Sequence, residues 1–234
     1  AAVARTKAAP PAKRKRSKRS LKGHGQLIEI CAASDSPLGN VAAQYPGLRV
    51  HRVTEDQDFS NPATVEAISR LIADNPGISI HASLPCTPWS ARQYMNIKKH
   101  GAEYLKELEA KREFSRNLVR NFVAVAEFAL IMGGHVSFEW PSNCSGWTLP
   151  ERTEFVTRHN LIKCNVPGCM YGVCNPQGEP YNKPWTFLTS SHTLAGGLSQ
   201  RKCCHEAHAE LQGGANTKKT ERYPNALCHV YPTS

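Results

Sequence analysis

Long apolar runs are missing from this chain. Nowhere in its 234 residues do enough apolar side chains follow one another to span a bilayer, so no membrane partner is expected. No short apolar stretch stands near the start, and a secretory leader is not expected either. Acid is missing from residues 1–22 altogether. The glycine fingerprint of a dinucleotide site is missing too, because the first strand-to-helix turn holds one glycine, Gly39. These absences make a disulfide-built secreted scaffold the poorer expectation. They favour a reducing compartment, nuclear or cytoplasmic, in which the nine cysteines act as metal ligands, catalytic thiols or core residues.

What is present begins with positive charge. The formal charge is +10, but residues 1–22 alone carry nine basic side chains; 20 of the 29 remain for residues 23–234, against 19 acids. Residues 1–22 hold almost nothing to bury and read as a disordered tail. Its centre, Lys13, Arg14, Lys15, Arg16, Lys18 and Arg19, suits nuclear import or a sequence-independent grip on nucleic acid phosphates. A solvated linker within a larger polyprotein is the other reading. Residues 23–234, with 40% hydrophobic content over the whole chain, are enough for one α/β domain with a real core.

Within that domain, residues 26–31 read as a strand. It is followed by the small-residue turn that includes Ala33, Ser34, Asp35, Ser36, Pro37 and Leu38, and then by a short helix. A strand ending in such a turn is how a nucleotide-like cofactor reaches backbone N–H groups. Residues 48–53 read as the second strand, with Glu55, Asp56 and Asp58 directly after it. An acid at that place accepts bonds from a ribose hydroxyl; a solvated acidic turn is the alternative. Asn61-Pro62 caps a helix that Asn75-Pro76-Gly77 ends.

Residues 78–84 form the third strand, apolar enough to be buried on both faces, and Pro85 stops it. Cys86 then stands past the carboxyl end of a strand on a stiff loop, as a candidate nucleophile or a packed core thiol. The longest helical pattern covers residues 103–132. Residues 135–140 read as a strand closed by Pro141, with Glu139 two residues before the stop; an acid there is either partnered or functional. Residues 150–159 look helical, and 161–166 and 185–189 read as two closing strands. The expected architecture is α/β, a mostly parallel sheet with a terminal antiparallel hairpin.

The C-terminal segment is rich in cysteine and histidine. Cys204 and His208 would share a helical turn, and Cys169 or Cys174 could add to them. The spacing matches no standard zinc module, so a structural zinc on Cys169, Cys204 and His208 stands beside a reading of packed thiols and surface histidines.

Taken in order, these motifs resemble those of a known family. Pro85-Cys86 follows one strand, Glu139-Trp140-Pro141 ends the next, the turn from Glu29 to Gly39 comes first, and Glu55 and Asp58-Phe59 lie between. The chain resembles S-adenosylmethionine-dependent methyltransferases of the Rossmann-like class I fold, and among them the DNA (cytosine-5) methyltransferases. It is similar above all to the shortened methyltransferase-like domains of retroelement and viral polyproteins. That similarity rests on Cys169-Met170-Tyr171-Gly172, Lys183-Pro184-Trp185, the stretch from Cys204 to His208, and Tyr223-Pro224, and it spans about residues 26–231.

The resemblance implies methyl transfer to C5 of cytosine in nucleic acid, DNA in preference to RNA, with Cys86 as nucleophile and Glu139 at N3 of the base. It implies S-adenosylmethionine held by Glu29, the turn residues 33–38, Glu55, Asp58, Phe59 and Pro85. Lys183 would join the tail on the nucleic acid, and the target base would leave its duplex. Departures are specific. Ala33, Asp35 and Ser36 replace the family's glycines, one helix stands where a helix and a strand are expected, and the family's Gln-x-Arg triplet is absent. The altered turn keeps a second reading open, a binding module with the fold but without turnover, and a third, a zinc-stabilised interaction domain.

Overall fold

The computed structural model describes residues 25–211, 217–218 and 220–232. The basic segment with Lys13, Arg14, Lys15, Arg16, Lys18 and Arg19 lies outside the described residues. Apolar stretches alternating with helical patterns build the parallel part of a sheet, because each strand-helix-strand connection returns the chain in the same direction. The elements are β1 (Gln26–Ile30), α1 (Pro37–Ala42), β2 (Arg49–Val53), α2 (Pro62–Asp74), β3 (Ser79–Ala82), α3 (Arg92–Ile131) and β4 (Val136–Pro141). Then come α4 (Pro150–His159), β5 (Ile162–Pro167), β6 (Pro184–Thr189), α5 (His192–Leu198) and the single-turn α6 (Asn225–Cys228).

The six strands lie in the order β2-β1-β3-β4-β6-β5. The first four are parallel, and β6 runs antiparallel to both β4 and β5. The fold is thus α/β with a mixed, mostly parallel sheet closed by an antiparallel pair. From β1 the chain crosses outward to β2 and then back past β1 to β3, so the strand order reverses at β1, the place where open α/β sheets leave a crevice at their carboxyl edge. No helix among the described residues is long and apolar enough to cross a membrane.

As the sequence reading expects, a single helix, α2, joins β2 to β3. Differences from that reading have local causes. Helix α3 begins at Arg92 rather than near residue 103, and it breaks at Gly101, which takes φ 72°. Its first turns leave Tyr94 and Met95 exposed and so carry no buried stripe for a periodic pattern to show. Strand β4 runs through Pro141, which pairs with Trp185 of the antiparallel neighbour. Gly134, at the entry to β4, is required by close approach, because a Cβ there would overlap the Ile78 carbonyl.

Successive strand residues face opposite sides of the sheet, and here the two sides differ in kind. One side packs Ile28, Ile30, Ile80, Ala82, Phe138 and Trp140 against α2, α3 and α4. The other holds Leu27, Trp185 and Phe187 under α1, α5 and α6, with Leu38 and Val41 in that core. Between those apolar residues it also buries Glu29, His81, Ser137 and Glu139. Glu29 pairs with His81 across β1 and β3, and His81 with Ser137 across β3 and β4, which makes one polar row.

Candidate active site

Cys86 sits four residues past β3 and opens a 3-10 turn, Thr87–Trp89. Its loop is held from several directions. Trp140 Nε1 donates to the Leu84 carbonyl at 2.7 Å, Gln93 Nε2 to Thr87 at 2.8 Å, and Arg112 Nε to Pro88 at 3.2 Å. The buried Trp89 indole donates to Ser115 Oγ of α3 at 2.8 Å. A loop tied in this way keeps the half-buried thiol in one position.

Glu139 stands on the neighbouring parallel strand, one residue past the Ala82–Phe138 pair. Its Oε2 accepts from Ser83 Oγ at 2.9 Å and from the Tyr223 hydroxyl at 2.8 Å. Its Oε1 is buried with no hydrogen-bond partner among the described residues. Burial pushes the carboxyl up to about 7, against the Tyr223 and Ser83 hydrogen bonds and the Lys183 charge, which favour the anion. Both existing donors use Oε2, so the proton of the neutral form belongs on Oε1.

Burial also pushes the Cys86 thiol up to about 11; the charge of Glu139 adds to this, while that of Lys183 opposes it. The two candidate chemical groups therefore lie within electrostatic reach of each other. Lys183 joins them, half-buried, with its Nζ donating to Thr220 Oγ1 at 3.0 Å. Burial holds the Lys183 ammonium below its usual range, opposed by the charges of Glu139, Cys86 and Glu221.

Behind Glu139 lies a chain of polar contacts that the sequence reading missed. Tyr223 OH is 3.2 Å from His81 Nε2, and Ser137 Oγ and Tyr231 OH are 2.8 and 2.9 Å from His81 Nδ1. With the single Tyr223 proton given to Glu139, His81 Nε2 carries the hydrogen and Nδ1 accepts. Burial alone lowers His81 to about 3, so the ring stays neutral. Tyr223-Pro224 was visible as a motif, but nothing local in it says that Tyr223 meets an acid 84 residues earlier in the chain.

A cavity of about 750 Å³ opens at the carboxyl ends of β1, β2 and β3. It is lined by residues 31–34 and 53–59, by Pro85, and by Phe114 and Leu118 of α3. Of the residues expected around a cofactor, Ala33, Ser34, Glu55, Asp58, Phe59 and Pro85 are thus brought together. Glu29, Asp35, Ser36, Pro37 and Leu38 are not in the lining. Ser36 Oγ donates to the buried Glu29 carboxylate, Asp35 pairs with Arg222 at 2.8 Å, and Leu38 is fully buried in the core. At the end of β1, Cys31 takes a φ of 57°, which a side chain adopts at some strain.

The cysteine–histidine segment needs one correction. Cys169 and His208 do come together, but with Cys203 and His205 rather than Cys204. The expected helical turn does not form. Residues 201–205 run without regular structure, so the four-residue spacing that pointed to Cys204 has no helix behind it. No protein-family model, curated protein or solved structure matches the chain.

Proposed function

We propose that this chain transfers a methyl group from S-adenosylmethionine to C5 of a cytosine in nucleic acid, through a covalent bond between Cys86 and C6 of the base, on a Rossmann-like methyltransferase fold. One observation carries the reading: a buried carboxyl oxygen without a partner, Glu139 Oε1, on a side chain whose charge reaches the thiol past the end of the adjacent parallel strand. An unpartnered buried polar atom costs stability, on the order of 1–3 kcal/mol, and is retained where a ligand completes it.

The chemistry asks for this pair. C5 of cytosine is a poor nucleophile until a thiolate adds at C6 and turns the ring into an enamine. N3 of the neutral base is an acceptor, and protonated Glu139 offers it the hydrogen on Oε1 as the ring takes on electron density. Burial raises Glu139 to about 7, which keeps the protonated form accessible at neutral pH. Protonation of Glu139 also removes the charge that disfavours the Cys86 thiolate, leaving Lys183 to favour it. Once C5 carries the methyl group, water takes the C5 proton, the C5–C6 double bond re-forms as the Cys86 thiolate leaves, and N3 returns its hydrogen to Glu139.

The cavity suits the cofactor in donor set and size. Glu55 and Asp58 would take ribose hydroxyls or the adenine amine, Phe59, Phe114 and Leu118 would face the purine, and its volume lies in the usual range for such ligands. Bound S-adenosylmethionine supplies an electrophilic methyl group on a sulfonium. The basic segment and Lys183 would bind phosphates, which gives affinity with little sequence preference.

The alternative of a binding module without turnover is favoured by the β1–α1 turn, where Ser36 and Asp35 are already engaged with Glu29 and Arg222. A 5-fluorocytosine oligonucleotide separates the two. With S-adenosylmethionine present we expect an adduct that survives denaturing electrophoresis, lost in Cys86→Ser and slowed in Glu139→Gln. No adduct, together with no cofactor binding by calorimetry, leaves the binding module.

A further inference from the structure

We propose that Cys169, Cys203, His205 and His208 form a closed, four-coordinate structural zinc site that fixes the path of residues 199–211, which follow α5. The donor atoms of these residues lie within 4.8 Å of one another. Cys203 Sγ is 3.5 Å from Cys169 Sγ, 3.5 Å from His205 Nδ1 and 3.4 Å from His208 Nε2. A tetrahedral zinc with Zn–S of about 2.3 Å and Zn–N of about 2.0–2.1 Å sets its ligand atoms ~3.4–3.8 Å apart, so three edges of the tetrahedron are already in place. Two thiolates and two imidazoles are the donor set of structural zinc, and with four protein ligands no position is left open for catalysis.

A second, independent observation asks for such a clip. Residues 199–207 are exposed without exception, and 201–208 have no regular secondary structure, so burial does little to hold this segment on its course. It is nevertheless anchored on both sides of the cluster. Arg201 Nη1 donates to the Met170 carbonyl at 2.6 Å and its guanidinium lies 4.6 Å over the Tyr171 ring, while Ala209 N donates to Pro180 at 2.8 Å. The anchors bring Cys203, His205 and His208 to the 3-10 turn Gly168–Tyr171 that carries Cys169. A metal there closes a loop of 34 residues, which is where a clip restricts the unfolded chain most. Cys174 and Cys204, both exposed, are outside the group and serve as internal controls.

The test uses the full chain, purified under reducing conditions, with zinc measured by mass spectrometry and cobalt(II) titrated into the metal-free protein. We expect about one zinc per chain, and with cobalt the ligand-field bands of a tetrahedral centre plus a thiolate charge-transfer band, displaced by added zinc. Cys204→Ser and Cys174→Ser should keep both signals and Cys203→Ser should lose them. Should Cys203→Ser fail to fold, the cobalt spectrum of the unsubstituted chain decides alone. Absence of zinc together with no tetrahedral cobalt spectrum overturns the site. So does a Cys169–Cys203 disulfide in the reduced preparation, or loss of metal in Cys204→Ser equal to that in Cys203→Ser.

Discussion

The two faces of the central sheet come from the same strands and do opposite work. On the face toward α2, α3 and α4, β3 and β4 contribute Ile80, Ala82, Val136, Phe138 and Trp140, all buried and apolar. On the other, the intervening residues His81, Ser137 and Glu139 are equally buried and polar. The first face gains free energy from burial without depending on direction. The second holds buried groups whose cost is met only when each finds its partner, and Tyr223 and Tyr231 come from the far end of the chain to provide them. A two-residue period lets one strand carry both, so stability and chemistry occupy opposite sides of the same backbone.

That division is broken most directly by cutting into the apolar face. Phe138 meets Phe122, Trp140 and Trp147 at ring-centroid distances of 5.2, 4.9 and 5.8 Å. Phe138→Ala should cost about 3–5 kcal/mol in denaturant unfolding. A loss below about 1 kcal/mol would mean that this face is not the one holding the sheet together.

The polar face should respond to pH instead. Glu139 rises from its ordinary 4.5 to about 7 in the folded chain, so the folded state binds the extra proton, and stability falls as pH climbs from about 4.5 to 7. His81 is the reverse: it drops from 6.5 to about 3, the unfolded state binds the extra proton, and stability is lost as pH falls from about 6.5 toward 3. Between about 4.5 and 6.5 the two slopes oppose each other. Glu139→Gln removes one of them. Relative to the unsubstituted chain, the variant should gain about 2.5 kcal/mol between pH 5 and pH 8. Parallel pH–stability curves for the two proteins would contradict a carboxyl buried in neutral form.

How much of this was legible in the sequence follows from what is local. The strands show themselves as short apolar or alternating stretches, Pro85 marks the end of the third, and Cys86 and Glu139 stand out because a thiol and an acid at such ends need a reason. The two-sidedness was not legible. His81 and Ser137 sit inside runs that read as continuously apolar, and their partners Tyr223 and Tyr231 follow a stretch with no periodic pattern of its own. Cys203 is hidden for the same reason: a helical spacing points to Cys204, but the chain runs irregularly, and only contacts with residues 168–171 and 180 set which thiol faces Cys169. The first turns of α3 were missed because Gly101 separates them from the buried stripe and they contribute little to it.

The finest division lies within the polar face itself, between two tyrosines of one core cluster. Tyr223 donates to Glu139, whereas the Tyr171 hydroxyl is buried without a hydrogen-bond partner among the described residues. Tyr223→Phe takes a donor from the Glu139 carboxyl and an acceptor from His81, and should cost about 1–2 kcal/mol at neutral pH. It should also move the Glu139 midpoint above 7, because that hydrogen bond favours the anion. Tyr171→Phe removes a hydroxyl that has already lost its water and gained nothing in return, so unfolding should show no loss and even a slight gain. If both variants lose stability alike, the cost belongs to packing in this core, and hydrogen-bond accounting no longer distinguishes the side of the sheet that carries Glu139.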